Sequence, residues 1–192
     1  MFIFGVIFAL VAGILFGLIG PTTKIAYNAG APVALVIFLR YAIASIIILP
    51  FIPSQNNLLD EFRKNLKFFV AISTGSIFLT LGLLTSVIFI EVSLTILIFC
   101  LYPIYVLIYS IVIDKEKILS SVKILFLITF IGIILVVGPS FKVINLLGIA
   151  LAVVASLGAT SMIVINQKMS FKKISPIPIN IFINIFNTFF FF

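Results

Sequence analysis

Histidine is absent from this chain, and cysteine and acidic residues are scarce. The 192 residues include no His, a single cysteine at Cys100, and only five Asp and Glu side chains. One cysteine cannot close a disulfide within the chain, and the Cys/His spacings of metal sites are missing. Hydrolases that use a Ser-His-Asp set or paired carboxylates are not expected either. The sequence therefore predicts no enzyme, no metal site and no cofactor.

Apolar residues make up most of the chain. Hydrophobic residues account for 64% of it and charged residues for 9%, whereas soluble domains carry about 25% charged residues. Seven apolar stretches are separated by short polar breaks, and about 20 apolar residues match the hydrocarbon core of a bilayer. We therefore predict an all-α, polytopic helical membrane protein surrounded by lipid. The predicted spans are residues 2–25, 32–52, 68–89, 91–113, 122–137, 146–165 and 177–192.

Basic residues are distributed unevenly among the polar breaks. The alternate breaks, after the first and fifth spans, offer only Lys24 and Lys142. Cytoplasmic loops of membrane proteins are the ones enriched in Lys and Arg, so we predict a cytoplasmic amino terminus. The net charge of +7 then reflects membrane orientation and does not indicate nucleic acid as a partner. The basic residues of the second, fourth and sixth breaks are Arg63, Lys64, Lys67, Lys115, Lys117, Lys123, Lys168, Lys172 and Lys173.

The first and sixth spans share a pattern of small residues at one constant offset. The aligned pairs are Gly5 with Gly148, Ala9 with Ala152, Ala12 with Ala155, and Gly13 with Ser156. Because this offset covers five spans, the second copy enters the membrane from the opposite side. Inverted-topology repeats of this kind are typical of secondary transporters. Chance similarity between two apolar helices is the alternative.

Several motifs follow one another in a characteristic order. A glycine-containing first helix is followed by Lys24 near its outer end and by Arg40 in the second helix. The fourth helix contains Pro103 and ends in an acidic turn at Glu116. In order and spacing, the whole chain resembles the EamA domain of the drug/metabolite transporter superfamily.

This resemblance implies two five-helix repeats, ten spans, and transport of small metabolites by alternating access. Residues 1–138 are then a complete first repeat, and residues 146–192 are about two helices of an incomplete, inverted second repeat. A fragment or a prematurely terminated reading frame is the simplest account of that ending. The expected location is the inner membrane of a bacterial cell, which the chain crosses several times.

An alternative is a non-transporting membrane remnant or a partner subunit. If 192 residues is the true length, we expect assembly with a second copy or with another membrane protein. Either form would lack half of the positions that select a substrate in the full fold.

Three charged residues within the spans are candidate contacts for a small-molecule substrate. A charge in a membrane costs some 2.5–3.5 kcal/mol on insertion scales and so indicates a function. We predict that Lys24, Arg40 and Glu91 meet in the outer half of the membrane, where they attract an anionic or zwitterionic metabolite. The alternative is a structural ion pair, with Lys24 extending to the outer surface.

Polar side chains also follow single helical faces. Tyr102, Tyr105 and Tyr109 lie on one face and are predicted to line a substrate cavity or to contact another helix. The proline residues Pro21 and Pro103 are expected to interrupt their helices. Further polar faces, interpreted as packing surfaces or a polar path, comprise Ser73, Ser76 and Thr80 on the third span and Asn180, Asn184 and Asn187 on the last.

Overall fold

The computed structural model describes residues 2–51, 58–115, 119–137, 145–171, 174 and 176–192. This part of the chain is helical and contains no strand, which confirms the predicted all-α fold. A 3-10 turn at Leu49–Phe51 follows the third helix. The α-helices are α1 Phe2–Gly17, α2 Ile19–Asn28, α3 Val33–Ile48, α4 Leu58–Phe89, α5 Val92–Phe99, α6 Tyr102–Val112, α7 Ser120–Val137, α8 Leu146–Phe171 and α9 Pro176–Phe191.

Seven helical segments coincide with the seven predicted spans. Four of them are long and apolar enough to cross a membrane, and three shorter apolar helices lie between or after them. The long segments are Phe4–Asn28, Asp60–Phe89, Val92–Val112 and Leu146–Ser170, and the shorter ones are Val33–Ile48, Ile124–Leu135 and Pro176–Phe191. The polytopic membrane fold is therefore confirmed. Of the residues named above, Glu116, Lys117, Lys142, Lys172 and Lys173 lie outside the described part.

The start of α4 corrects one prediction. Residues 53–67 are predicted as a polar break, but α4 begins at Leu58 and runs on from there, while residues 53–57 are not described. Asp60 and Glu61 lie in its first turn, where carboxylates interact favourably with the helix dipole. The helix bends at Asn65, whose φ of −120° and ψ of 19° are not helical. This charged stretch is thus a helical extension of the third span.

The first and fourth spans are both broken, as the prolines predict. The first span divides into α1 and α2 at Leu18, and the fourth divides into α5 and α6 at Cys100 and Leu101. Proline has no backbone N–H, so Pro21 and Pro103 leave the carbonyl four residues earlier without its helical partner. Each break lies within those four residues.

A close antiparallel crossing of α4 and α8 forms the centre of the molecule. A Cβ atom on Gly82 would lie 2.5 Å from the Leu151 carbonyl oxygen, and one on Gly158 would lie 2.5 Å from the Leu79 nitrogen. Only glycine permits two backbones to approach so closely. Gly75, nearer the start of α4, meets residues later in α8, so the two helices run in opposite directions.

The last helix, α9, packs against α3 and α4. Phe182 contacts two aromatic rings of α4, with centroids 5.2 Å from both Phe62 and Phe69. On the α3 side, the Tyr41 ring stacks on Phe191 with centroids 6.1 Å apart. These contacts enclose the apolar cluster that contains Ile37, Phe69, Ile72, Leu84, Met169, Ile179 and Ile183.

Candidate functional site

An apolar cavity of about 430 Å³ lies between the two broken spans. Both breaks face it, with Gly17 and Ile19 on one side and Phe99 and Cys100 on the other. The walls between the breaks come from α4 and α8. We call this space the central cavity; its polar lining groups are Thr95, Cys100 and Tyr102, and its apolar ones include Phe16, Leu83, Val87, Val92, Ile96, Met162 and Ile163.

Two hydroxyl groups of α8 lie against the broken fourth span. The Ser156 hydroxyl donates to the Phe99 carbonyl at 3.1 Å, which is the carbonyl that Pro103 leaves without a backbone partner. The Thr160 hydroxyl lies 3.3 Å from the Tyr102 carbonyl and 2.9 Å from the carbonyl of Ser156. The Phe99 carbonyl that the break leaves free is thus satisfied by Ser156, on the helix that also forms a wall of the cavity.

A second cavity of about 410 Å³ has ionisable side chains in its lining. Lys24 and Glu91 both line it, so the structure brings these two predicted residues together. The Lys24 ammonium donates to the Val87 carbonyl at 3.0 Å, near the carboxyl end of α4, where a positive charge is favourable. Val92 lines both cavities and therefore marks where they adjoin.

Arg40 is half-buried on α3, and it lines neither the central cavity nor the cavity of Lys24 and Glu91. Its Nη1 atom is buried and has no hydrogen-bond partner among the described residues. The structure thus places Lys24 and Glu91 in the lining of one cavity and the half-buried Arg40 outside the lining of both cavities.

The three tyrosines on α6 have different surroundings. Tyr102 lines the central cavity, where its ring centroid is 5.3 Å from that of Phe99. Tyr109 is near the opposite end of α6, where its hydroxyl accepts a 2.6 Å hydrogen bond from Lys168. Tyr105 lies between them, half-buried and outside the central cavity's lining. The shared helical face thus contributes one tyrosine to the cavity.

Comparison with known proteins identifies the family. The sequence model of the EamA-like transporter family matches residues 3–138. This range covers α1 from its second residue through α7 and includes most of the lining of both cavities. The chain belongs to the EamA-like transporter family. No curated protein and no solved structure matches it.

Family membership confirms the resemblance that the order of motifs indicated. As a member of the EamA-like family, the chain is a membrane protein of a transporter type. The family match ends before α8 begins, so the contribution of α8 to the cavity is known from the structure alone.

Sequence reasoning missed several residues of the central cavity in this EamA-like protein. Phe16, Thr95 and Met162 line it, yet each is an ordinary residue for a membrane helix. The small-residue pattern includes Ser156 only as the counterpart of Gly13. The role of Ser156 as a hydrogen-bond donor could have been inferred from Pro103, because a proline in a span requires a donor for the carbonyl that it leaves free.

Proposed function

We propose that this protein moves a small molecule across the membrane by alternating access, with the central cavity as the binding chamber. The observation that carries this proposal is an apolar cavity bordered by two broken spans. Broken helices often form the substrate sites of secondary transporters. The volume also falls within the roughly 300–1,000 Å³ that ligand pockets occupy.

The two adjoining cavities favour a zwitterionic substrate with an apolar body. Side chains such as Phe16, Phe99 and Ile96 surround the central cavity and suit an apolar or aromatic group. Lys24 and Glu91, on the other side of Val92, supply one charge of each sign. In this conformation, the residues that contact the substrate are Tyr102, Lys24 and Glu91. Arg40, Tyr105 and Tyr109 would contact substrate only after the helices rearrange.

A contact between α3 and α9 supports an inverted repeat as the basis of the movement. The Ser45 hydroxyl lies 3.1 Å from that of Thr188, and the two residues are 143 positions apart. The same separation aligns Gly5 with Gly148. A residue touches its own counterpart only at a two-fold axis, so this hydrogen bond is where such an axis would pass. Alternating access then follows from α1–α7 moving against the second-repeat helices.

The charge distribution supports an orientation. The described basic residues Arg63, Lys64, Lys115 and Lys168 lie near the ends of their helices remote from Lys24. By the positive-inside rule, we infer that the end remote from Lys24 is cytoplasmic and that the amino terminus lies inside. We also infer that the membrane is a bacterial inner membrane.

The single cysteine makes the proposal testable without removing other thiols. Cys100 lines the central cavity and is the chain's only cysteine. We expect a water-soluble maleimide to label it in membrane vesicles, because an alternating cavity opens to water. Zwitterionic metabolites with apolar side chains should slow the labelling when they are transported.

The matched control is Asp114→Cys in a Cys100→Ser background. Asp114 is exposed beyond the end of α6 and lines neither cavity, so a water-soluble maleimide should label it and no metabolite should slow that labelling. Absence of Cys100 labelling in vesicles of both orientations, or labelling that no metabolite in a broad zwitterionic panel slows, would refute the transport proposal and favour a non-transporting subunit.

A further inference from the structure

A third cavity, of about 540 Å³, lies on the surface of the crossing between α4 and α8. All of its lining residues come from these two helices, and Phe78 and Leu157 among them are 52% and 50% exposed. We call this surface the α4–α8 groove. Its lining comprises Ala71, Thr74, Gly75, Phe78, Val154, Leu157, Gly158 and Ser161.

The groove uses a different face of α4 from the faces that meet the other helices. Ser76 of α4 hydrogen-bonds to Tyr41 of α3, and Phe69 contacts Phe182 of α9. Leu83 lines the central cavity. These α4 residues do not line the groove, so among the described helices only α4 and α8 form it. Within a membrane, such a surface is in contact with lipid.

The two hydroxyl groups in the groove do not make it polar. The Thr74 hydroxyl donates to the Val70 carbonyl at 2.9 Å, and the Ser161 hydroxyl donates to the Gly158 carbonyl at 2.7 Å. Each of these hydrogen bonds stays within its own helix. The groove therefore presents an apolar wall, which suits an acyl chain and not a polar solute.

A lysine continues the groove-lining face of each helix. Lys67 precedes Ala71 by four residues, and Lys168 follows Ser161 by seven, so each lysine shares a helical face with a residue of the lining. Lys67 also lies beyond the bend at Asn65, in the regular part of α4. Both lysines are exposed.

The two lysines lie at the same end of the groove, because the helices are antiparallel. A Cβ atom on Gly75 would contact the Ser161 side chain, which marks where α4 and α8 meet. From that point, Lys67 lies eight residues back along α4 and Lys168 lies seven residues onward along α8. These separations are about 12 and 10.5 Å along the two helix axes.

Side chains next to both lysines are buried together. Phe69, two residues after Lys67, and Met169, directly after Lys168, are 0% exposed members of one apolar cluster. The helices thus stay packed as far as the two lysines. One ammonium group therefore lies on each side of the interface at this level.

The charge at this end complements a single negative charge. The Lys168 ammonium donates to the Tyr109 hydroxyl at 2.6 Å and interacts electrostatically with Asp114. An ammonium has three N–H donors, so Lys168 can also bind a further acceptor. Lys67 and Lys168, offset by the one carboxylate of Asp114, leave one positive charge for a phosphodiester.

We propose that the α4–α8 groove binds an anionic glycerophospholipid, with an acyl chain along the groove and the phosphate beside Lys67 and Lys168. From Lys67 to Phe78, the α4 wall rises through eleven residues, or about 16 Å. This length matches one leaflet, which is roughly half of the 30 Å hydrocarbon core. Lysine side chains extend readily from apolar surfaces to headgroups.

The orientation supplies the source of the lipid. Lys67 and Lys168 lie at the end of the molecule remote from Lys24, which the positive-inside rule assigns to the cytoplasm. Anionic lipids of the cytoplasmic leaflet attract basic residues there. Only this choice of leaflet rests on the proposed orientation, and binding in the groove is independent of the proposed transport.

Native mass spectrometry of the full chain in detergent tests the proposal, with phosphatidylglycerol and phosphatidylcholine of identical acyl chains as probes. Phosphatidylglycerol should bind more tightly, because it alone carries a net negative charge. Lys67→Gln and Lys168→Gln should each weaken its binding about fivefold, the loss expected for one basic residue near an anionic surface. Neither variant should change the binding of phosphatidylcholine.

Two matched controls separate the site from general effects. Lys115 is exposed after the end of α6 and lies on neither groove helix, so Lys115→Gln should keep the wild-type affinity for phosphatidylglycerol. Ala71→Phe places a ring in the groove and should weaken the binding of both lipids. Ala12→Phe places the same ring on the exposed surface of α1 and should weaken neither.

Three outcomes would overturn the proposal. Equal affinities for the two lipids would show ordinary lipid contact without a headgroup site. The same loss in Lys115→Gln as in Lys67→Gln would show that binding follows the overall charge of the protein. A protein dimer that retains no lipid and that Ala71→Phe dissociates would assign the groove to a second copy of the chain.

Discussion

Helices α1 and α8 carry the same pattern of small residues in opposite surroundings. A Cβ atom on Gly148 would lie 2.9 Å from Ile90 Cγ2, whereas one on Gly5, its aligned counterpart, would meet nothing within 4 Å. Ala155 is fully buried in α8, while its counterpart Ala12 is exposed. Small residues therefore permit close packing but do not create it, since a complementary helix must also be present.

Helix α4 is that complementary partner for α8. It presents Gly75 and Gly82 at a spacing of seven residues, so that glycine on one helix faces backbone on the other. Between membrane helices the gain comes from close van der Waals contact and hydrogen bonds, because lipid tails are as apolar as leucine. The α8 surface adds hydrogen bonds from Ser156 to the broken span. Gly13, the counterpart of Ser156 on α1, has no side chain that could donate a hydrogen bond.

The largest expected effect comes from filling the crossing itself. Gly158→Ala places a methyl group 2.5 Å from the Leu79 nitrogen and 2.8 Å from the Gly75 carbonyl oxygen. Neither backbone atom can move aside cheaply, so we expect a loss of about 2–3 kcal/mol in unfolding free energy. Reversible unfolding in mixed detergent micelles would measure it.

Gly13→Ala is the matched control for that change. A methyl group added at Gly13 would meet nothing within 4 Å, so the substitution should gain up to about 1 kcal/mol from helix propensity. Equal losses of unfolding free energy in both variants would show that the stability depends on the flexibility of glycine and not on the fit between the helices.

A smaller effect is expected from Ser156→Ala, which removes the donor to the Phe99 carbonyl. The unfolding free energy should fall by about 1 kcal/mol, as for a typical lost hydrogen bond. In a Pro103→Ala background the Phe99 carbonyl regains a backbone N–H, so Ser156→Ala should then cost close to nothing. An undiminished loss in that background would mean that Ser156 acts through packing alone.

The sequence was sufficient for the features that depend on one helix at a time. Spans follow from apolar length, and the breaks near Pro21 and Pro103 follow from the missing N–H. The family followed from motif order. Features that depend on a partner helix were not accessible, because periodicity shows which face is polar but not what it meets. Arg40 is predicted to meet Lys24 and Glu91 but is not part of the cavity that those two line, and Tyr105 and Tyr109 share a face with Tyr102 but not its cavity.

The asparagines of α9 show the same limit within one helix face. Asn180 and Asn184 donate to the Pro176 and Asn180 carbonyls of their own helix, at 3.0 and 2.8 Å. Only Asn187 reaches another helix, at Ser76. An i, i+4, i+7 pattern predicts one polar face, but the packing of α9 against α4 decides which member is buried.

The smallest expected effect gives the most direct comparison of α1 with α8, because the two substitutions are at aligned positions, Gly5 and Gly148. The methyl group of Gly148→Ala would meet only side-chain atoms, the nearest at 2.9 Å, so partial relaxation and the gain in helix propensity should keep the net loss below about 1 kcal/mol. Gly5→Ala should be neutral or slightly stabilising, since its methyl group would lie in open surroundings. Both variants should be compared in detergent micelles and in lipid bilayers. If Gly5→Ala lowers stability in bilayers alone, another helix covers the small-residue face of α1 in the membrane, and the contrast between α1 and α8 would belong to the isolated chain only.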